Sequence, residues 1–213
     1  MKNKRKPKEA TRCGAIAFGF TLIVALAGCA PMPPVDVSKS GDLVRTTLAP
    51  ESRAKLSSVE IFDRATASKL ENEGVFGDTE VGVRQPTSQT VAEDIKAYFN
   101  KATIREPGSG QKVIVRLEKV DAYWIFRAAK KVPFVGLALL GTPDVFVMKL
   151  RASFEVESQG KVLRTFTYDE TFSLADGSAS TRDSIAESYQ RLIALYRQRF
   201  FDDLDKQFAV RYL

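Results

Sequence analysis

Apolar and polar residues alternate in the second half of the chain, and this pattern predicts β-strands. In Val145–Glu157, apolar side chains occupy every second position, and charged or hydroxyl side chains occupy most of the positions between them. Residues 158–161 have the composition Ser-Gln-Gly-Lys of a hairpin turn, and Val162–Leu174 continues as the return strand, with Val162 and Phe166 in its apolar row. One apolar face and one polar face predict an antiparallel sheet that is covered on one side only.

A third strand, Lys112–Phe126, changes the phase of its apolar positions. Apolar side chains fall on odd-numbered positions from Val113 to Leu117 and on even-numbered positions from Val120 onward. A period of two cannot change phase without an additional residue. The sequence therefore predicts a β-bulge near Glu118–Val120.

Helical spacing of apolar residues predicts two helices. The first covers Thr87–Ala102, and the second runs from about 180 to 208, with Arg197 and Asp205 off its apolar stripe. The stripe consists of Ile185, Tyr189, Leu192, Tyr196, Phe200, Leu204 and Phe208. With a first strand at Leu56–Asp63, the predicted fold class is α+β. It has an antiparallel sheet of about four strands, two helices packed on one face, and the order β-α-β-β-β-α.

Five carboxylates surround the Gly-containing segment between the first strand and the first helix. They are Asp63, Glu71, Glu73, Asp78 and Glu80. Paired carboxylates can bind a hard cation or catalyse hydrolysis, but this spacing matches no known ligand loop. Asp169 and Glu170, in the return strand, are predicted to face solvent. We therefore predict no metal site and no catalytic residues.

The first 29 residues have a different pattern. A basic tail with six cations from Lys2 to Arg12 precedes an apolar run of 13 residues, Ala15–Ala27. A basic region, a short apolar region and small residues before a cleavage site are typical of a secretory signal. Because a spanning helix needs about 20 residues, the run is too short for an uncleaved transmembrane anchor. We predict a signal peptide at 1–28, a Pro-rich tether at 29–50 and a single α+β domain at 51–213.

Most of the net charge of +6 belongs to the predicted signal. Residues 1–28 carry six of the 32 basic and one of the 26 acidic residues, so that 26 basic and 25 acidic residues remain, a net charge of +1. A near-neutral domain lacks the excess of positive charge that binds nucleic-acid phosphates, and we expect no nucleic-acid partner. The chain contains no His, which excludes His-based nucleophile pairs and His metal ligands. We expect no cofactor.

The segment 127–144 is a candidate contact loop. Its three cations, Arg127, Lys130 and Lys131, precede a run of ten mostly apolar residues at 132–141. The large apolar members of this run are Phe134, Val135, Leu137, Leu139 and Leu140. Two interpretations remain open. These side chains close one end of the core, or they form an exposed loop that docks on a partner or enters lipid headgroups, with the cations on phosphates.

The four residues Leu26-Ala27-Gly28-Cys29 resemble the bacterial lipobox. The resemblance implies that the Cys29 thiol is diacylglycerated, that the chain is cut just before it, and that the lipid makes the membrane a partner. Lipoproteins retained in the inner membrane often carry Asp after this Cys, whereas Ala30 and Pro31 follow here. The resemblance therefore implies the periplasmic face of the outer membrane.

The order of elements resembles that of small Gram-negative envelope lipoproteins, among them the uncharacterised YajG-type lipoproteins. Four features carry the resemblance: Cys29, the strand Val59–Arg64 before a Gly-containing loop, the helix Val91–Ala102, and the sheet followed by a terminal helix. The layout is also similar to the lipoprotein subunit of the lipopolysaccharide assembly machine and to lipoproteins that assist lipid transport. We expect a non-enzymatic binding or assembly subunit with an envelope protein partner. A lipid or small-ligand carrier is the alternative, and an envelope hydrolase is the third hypothesis.

Overall fold

Five strands form the main sheet of the protein, and two helices cover one of its faces. The computed structural model describes residues 44–65, 78–80, 85–125, 144–176 and 182–213. The strands are β1 (Ala54–Leu56), β2 (Ser58–Asp63), β3 (Asp78–Glu80), β4 (Thr103–Arg105), β5 (Gln111–Ile125), β6 (Asp144–Ser158) and β7 (Lys161–Asp176). The helices are α1 (Thr87–Ala102), α2 (Arg182–Asp203), which continues as a π-helical segment (Leu204–Ala209), and the final turn α3 (Val210–Tyr212).

The main sheet has the strand order β2-β5-β6-β7, with β3 beside the last residues of β5. The pairs β5–β6 and β6–β7 are antiparallel, as predicted. The strand β2 runs parallel to β5, so the prediction of an all-antiparallel sheet is wrong at this pair. The reason is the connection between them: α1 carries the chain back to the end of the sheet where β2 began. The short strands β1 and β4 form a separate parallel pair, which the predicted order lacks.

The predicted bulge in β5 is confirmed. Leu117 pairs with Ala152 and Lys119 pairs with Arg151, which leaves Glu118 as the additional residue. The bulge keeps the apolar side chains of both halves of β5 on the helix-covered face. Val113 and Val120, from the two halves, are both buried. Because of this one additional residue, the apolar side chains before and after the change of phase all lie on the same face of the sheet.

The hairpin between β6 and β7 is also confirmed, with a turn at Gln159 and Gly160. Both residues have positive φ, 50° and 76°, which a two-residue hairpin turn of this kind requires. The predicted position of Val162 in the apolar row is wrong. Val156 pairs with Arg164 and Glu157 with Val162, so that Leu163 is a second bulge and Val162 is 51% exposed.

Aromatic rings fill much of the space between the helices and the sheet. The helix α1 packs on β2 and β5, and α2 packs on β6 and β7. Phe154, in the middle of β6, has four ring neighbours at centroid distances of 5.2–6.5 Å: Phe99, Phe166, Phe200 and Phe208. Among the described residues, no helix combines the length and the apolar character that crossing a bilayer requires.

The π-helical segment has an explanation in the sequence. The last apolar positions of the stripe, from Tyr196 through Phe200 and Leu204 to Phe208, are spaced four apart. With 3.6 residues per α-helical turn, this spacing rotates the stripe by about 40° at each step. A π-helical turn holds more residues and removes part of that rotation. Leu204 and Phe208 consequently remain fully buried against the sheet, in a helix that the sequence predicts as regular.

Candidate functional site

The residues that the sequence indicates for function lie outside the described part of the chain. This applies to Cys29 and to the contact-loop residues Arg127, Lys130, Lys131, Phe134, Val135, Leu137, Leu139 and Leu140. The structure does describe the ends of the strands that the loop joins: β5 ends at Ile125, which pairs with Val145 near the start of β6. The strand ends that flank the loop therefore lie at the end of the sheet opposite to the β6–β7 hairpin.

The carboxylates near the Gly-containing segment are described only in part. Asp63 Oδ1 accepts a hydrogen bond from the backbone amide of Ala65 at 3.0 Å, a local turn contact. Glu71 and Glu73 lie outside the described residues, and Asp78 and Glu80 are described only as the backbone of β3. In the part of the chain that the structure describes, no three acidic or thiol side chains are grouped to hold a metal ion.

A surface cleft of about 300 Å³ lies between β7 and the end of α2. Its lining residues are Tyr168, Glu170, Phe172, Arg199, Asp202, Asp203 and Lys206. The buried Tyr168 donates a hydrogen bond from its hydroxyl to Asp203 Oδ2 at 3.2 Å. Burial, followed by the Asp203 carboxylate, raises the pKa of Tyr168 above its ordinary value. The hydroxyl therefore remains protonated, and a donor, at neutral pH.

Two opposite charges in the cleft form no ion pair within the part of the chain that the structure describes. Glu170 on β7 and Arg199 on α2 make no hydrogen bond or ion pair with any described residue. Asp202, in contrast, is 4.0 Å from Lys206, and Asp203 accepts the hydrogen bond from Tyr168. A carboxylate and a guanidinium in one cleft can bind a ligand that carries both an ammonium and an anionic group.

Asp169 and Glu170 are both exposed, as predicted, but they lie on opposite faces of β7. Asp169 lies on the face away from the helices, 3.9 Å from Arg151. Glu170 belongs to the row of Tyr168 and Phe172, which faces the helices, and it borders the cleft because β7 is an edge strand. The sequence does indicate the face on which Glu170 lies. It is two residues from each of these aromatic side chains, and every second side chain of a strand lies on the same face.

A buried carboxylate in the π-helical segment holds the first described residues of the chain. We call Val44–Leu48 the strap. Asp205, 2% exposed, accepts hydrogen bonds from Thr46 Oγ1 at 2.9 Å, from the Thr47 amide at 2.5 Å and from Thr47 Oγ1 at 2.8 Å. A fourth comes from the Tyr98 hydroxyl at 2.7 Å. The sequence places Asp205 off the apolar stripe, and the structure buries it.

A second buried charge was also placed off the stripe. Arg197, 5% exposed, donates a hydrogen bond from Nε to Oδ2 of the fully buried Asp94 at 2.9 Å. The pair joins α1 to α2 inside the core. Because the two residues are 103 positions apart, only the fold brings them together, and the periodicity of a single helix does not reveal the contact.

Three solved structures are similar to this chain at low identity. A Xanthomonas campestris protein described under the family model DUF330 has a TM-score of 0.39 and 10% identity, over 76% of this chain and 92% of its own. A minor lipoprotein from Acinetobacter baumannii has a TM-score of 0.36 and 12% identity, over 72% and 91%. Rare lipoprotein B from Shewanella oneidensis has a TM-score of 0.37 and 12% identity, over 72% and 94%. Neither a protein-family model nor a curated protein matches the chain.

Proposed function

We propose that this protein is an outer-membrane lipoprotein that acts as a non-enzymatic binding or assembly subunit in the cell envelope. The observation that carries the proposal is the motif Leu26-Ala27-Gly28-Cys29, which follows a basic tail and a short apolar run. Lipidation of Cys29 would anchor the domain on the periplasmic face of the membrane and concentrate it beside envelope partners.

The arrangement of the domain supports a contact at the end of the sheet remote from Val44, the first described residue. Val44, the first described residue, is buried, and its carbonyl accepts a hydrogen bond from Lys101 Nζ at 2.9 Å, near the end of α1. This places the entry of the chain in the half of the sheet where β5 begins. The 15 residues of β5 cover about 50 Å. The candidate contact loop follows the last residue of this strand, at the end of the sheet remote from Val44.

The anchor is tested by replacing Cys29 with Ala in the full chain. We expect no palmitate incorporation, an uncleaved signal and loss of the mature membrane form, because only the Cys thiol can be acylated. Cys13→Ala is the matched control, since this second Cys lies within the predicted signal and its loss leaves processing unchanged. Mature, membrane-bound Cys29→Ala protein would show that the lipobox interpretation is wrong.

The contact is tested with the double variant Phe134→Ser and Leu139→Ser. If the loop binds a partner, we expect thermal stability to remain and a stoichiometric partner, trapped by cross-linking of the membrane form, to be lost. The matched control replaces the exposed Val162 and Leu163 with Ser at the hairpin, at the other end of the sheet. A collapse of thermal stability would place the two loop residues in the core, and unchanged cross-linking would also reject the contact.

The cleft favours the carrier as a second candidate function. The packed rings occupy the described part of the space between helices and sheet, so a ligand is expected on the surface instead, between Glu170 and Arg199. The predicted ligand is zwitterionic, and phosphoethanolamine is a suitable probe. Glu170→Gln and Arg199→Gln should each weaken binding in calorimetry by about tenfold. Glu187→Gln, an exposed change elsewhere on α2, is the control, and equal binding by all three variants rejects this candidate.

A further inference from the structure

The strap and the π-helical segment depend on the same carboxylate. Three of the four hydrogen bonds to Asp205 come from Thr46 and Thr47, and the fourth comes from Tyr98 on α1. The strap is also held by the burial of Val44 and by the bond from Lys101 to its carbonyl. Leu48 also packs against the core, so that apolar burial and these hydrogen bonds together dock the strap.

Undocking of the strap would leave Asp205 in an unfavourable position. The carboxylate would retain only the Tyr98 hydroxyl while it remains inside the protein, and a buried carboxylate without sufficient donors is strongly destabilised. The side chain can reach water only if the helix around it rotates. A π-helical turn that reverts to an α-helical turn produces a rotation of this kind, because it changes the number of residues per turn.

We propose that the strap and the π-helical segment form a conformational clasp with two states. With the strap docked, Asp205 faces inward and residues 204–209 remain π-helical. With the strap released, these residues revert to α-helix, Asp205 turns toward solvent, and Phe208 and Tyr212 shift against β7. The strap directly precedes the domain on the side of Cys29, so a partner that binds or pulls the tether acts on the C-terminal helix. The clasp belongs to the fold and does not depend on lipidation.

The test is hydrogen–deuterium exchange on the full chain in detergent, with the double variant Thr46→Val and Thr47→Val. Valine keeps the shape of threonine and removes both hydroxyl donors to Asp205. We expect amide exchange in residues 204–213 to accelerate by about tenfold or more, with β6 unchanged, because hydrogen bonds to a charged group are the stronger ones.

The matched control is Thr87→Val. This change removes a different threonine hydroxyl bond, the one between Thr87 Oγ1 and the Tyr189 hydroxyl at 2.6 Å, where α1 begins. It should leave exchange in 204–213 unchanged. The conservative pair Thr46→Ser and Thr47→Ser should restore slow exchange, because serine retains the donor. If the double valine variant does not fold, Thr46→Val alone is measured, since it removes one of the two hydroxyl donors to Asp205.

Two results overturn the proposal. One is unchanged exchange in 204–213 when the threonine hydroxyls are absent. The other is equal acceleration in all segments, or in the Thr87→Val control, because this would indicate a general loss of stability and not the release of one segment.

Discussion

At the scale of single residues, Asp94 and Arg197 place two full charges where solvent does not reach. Arg197 Nε and Asp94 Oδ2 are 2.9 Å apart, and the side chains are 5% and 0% exposed. Beside them lies Tyr196, whose hydroxyl has no hydrogen-bond partner among the described residues. Burial, followed by the negative charge of Asp94, raises the pKa of Tyr196. In this environment each charge depends on the other, because neither has water to replace its partner.

Replacement of Asp94 by Ala is expected to lower the free energy of unfolding by about 3–5 kcal/mol, because Arg197 would remain buried without a counter-charge. Urea denaturation followed by circular dichroism measures the loss. Glu93→Ala, at the exposed neighbouring position, should cost no more than about 0.5 kcal/mol. Replacing both members of the pair, with Asp94→Leu and Arg197→Met, should cost less than Asp94→Ala alone. Equal effects of Asp94→Ala and Glu93→Ala would contradict the buried-pair argument.

At the scale of elements, local patterns predicted what depends on local sequence. The bounds of α1, the β6–β7 turn and the bulge at Glu118 follow from spacing and turn residues, and the structure confirms all three. The parallel pairing of β2 with β5 was available from the intervening helix but was overlooked. The bulge at Leu163 has no signal in the sequence. Val162 before it and Phe166 after it both fall on even-numbered positions, so the apolar pattern does not change phase.

Two variants at Glu118 separate the effect of its side chain on stability from the effect of the additional residue in β5. Deletion of Glu118 would move one half of the apolar row of β5 to the solvent face. We expect a loss of more than about 4 kcal/mol in the free energy of unfolding, or no folded protein, in thermal denaturation. Glu118→Ala keeps the bulge and loses only the half-exposed ion pair with Arg151, at a cost of about 0–1 kcal/mol. Similar stability of the two variants would contradict the assigned register.

Local patterns within single elements do not reveal most contacts of the candidate sites. Thr46 and Asp205 are 159 positions apart, so a pattern within one element contains no sign of their hydrogen bond. The cleft likewise joins β7 to α2. Glu170 alone had a local signal, its phase with the neighbouring aromatic residues. Sequence reasoning therefore predicted which elements exist, and the structure was needed to show which polar side chains they bring together.

At the scale of the whole molecule, buried tyrosines make the stability of the fold depend on pH in the alkaline range. Burial is the largest cause that raises the pKa of Tyr98 and Tyr168, and in each case a neighbouring carboxylate adds to it. For Tyr189, burial raises the pKa to about 12. These hydroxyls are neutral in the folded protein. In the unfolded chain they would ionise near pH 10.

Stability should therefore fall at high pH. The folded state binds protons more tightly than the unfolded state, so this contribution is fully present below pH 10 and is lost as pH rises through the raised values. We expect the ultraviolet absorbance of tyrosinate from the buried residues to appear together with loss of circular dichroism, up to about pH 12 for Tyr189. Tyr189→Phe should remove part of this dependence. Complete tyrosine titration near pH 10 with an intact fold would contradict the prediction.

The clasp between the strap and Asp205 also has a consequence for the time course of folding. It joins residues 158 and 159 positions apart, and contacts at such separation close slowly because a long loop must be ordered first. A nascent chain that ends before residue 205 has no acceptor for the strap. Complete closure therefore waits for the segment that contains Asp205. If the chain is exported, as proposed, this delay keeps the domain open until Asp205 has crossed the membrane.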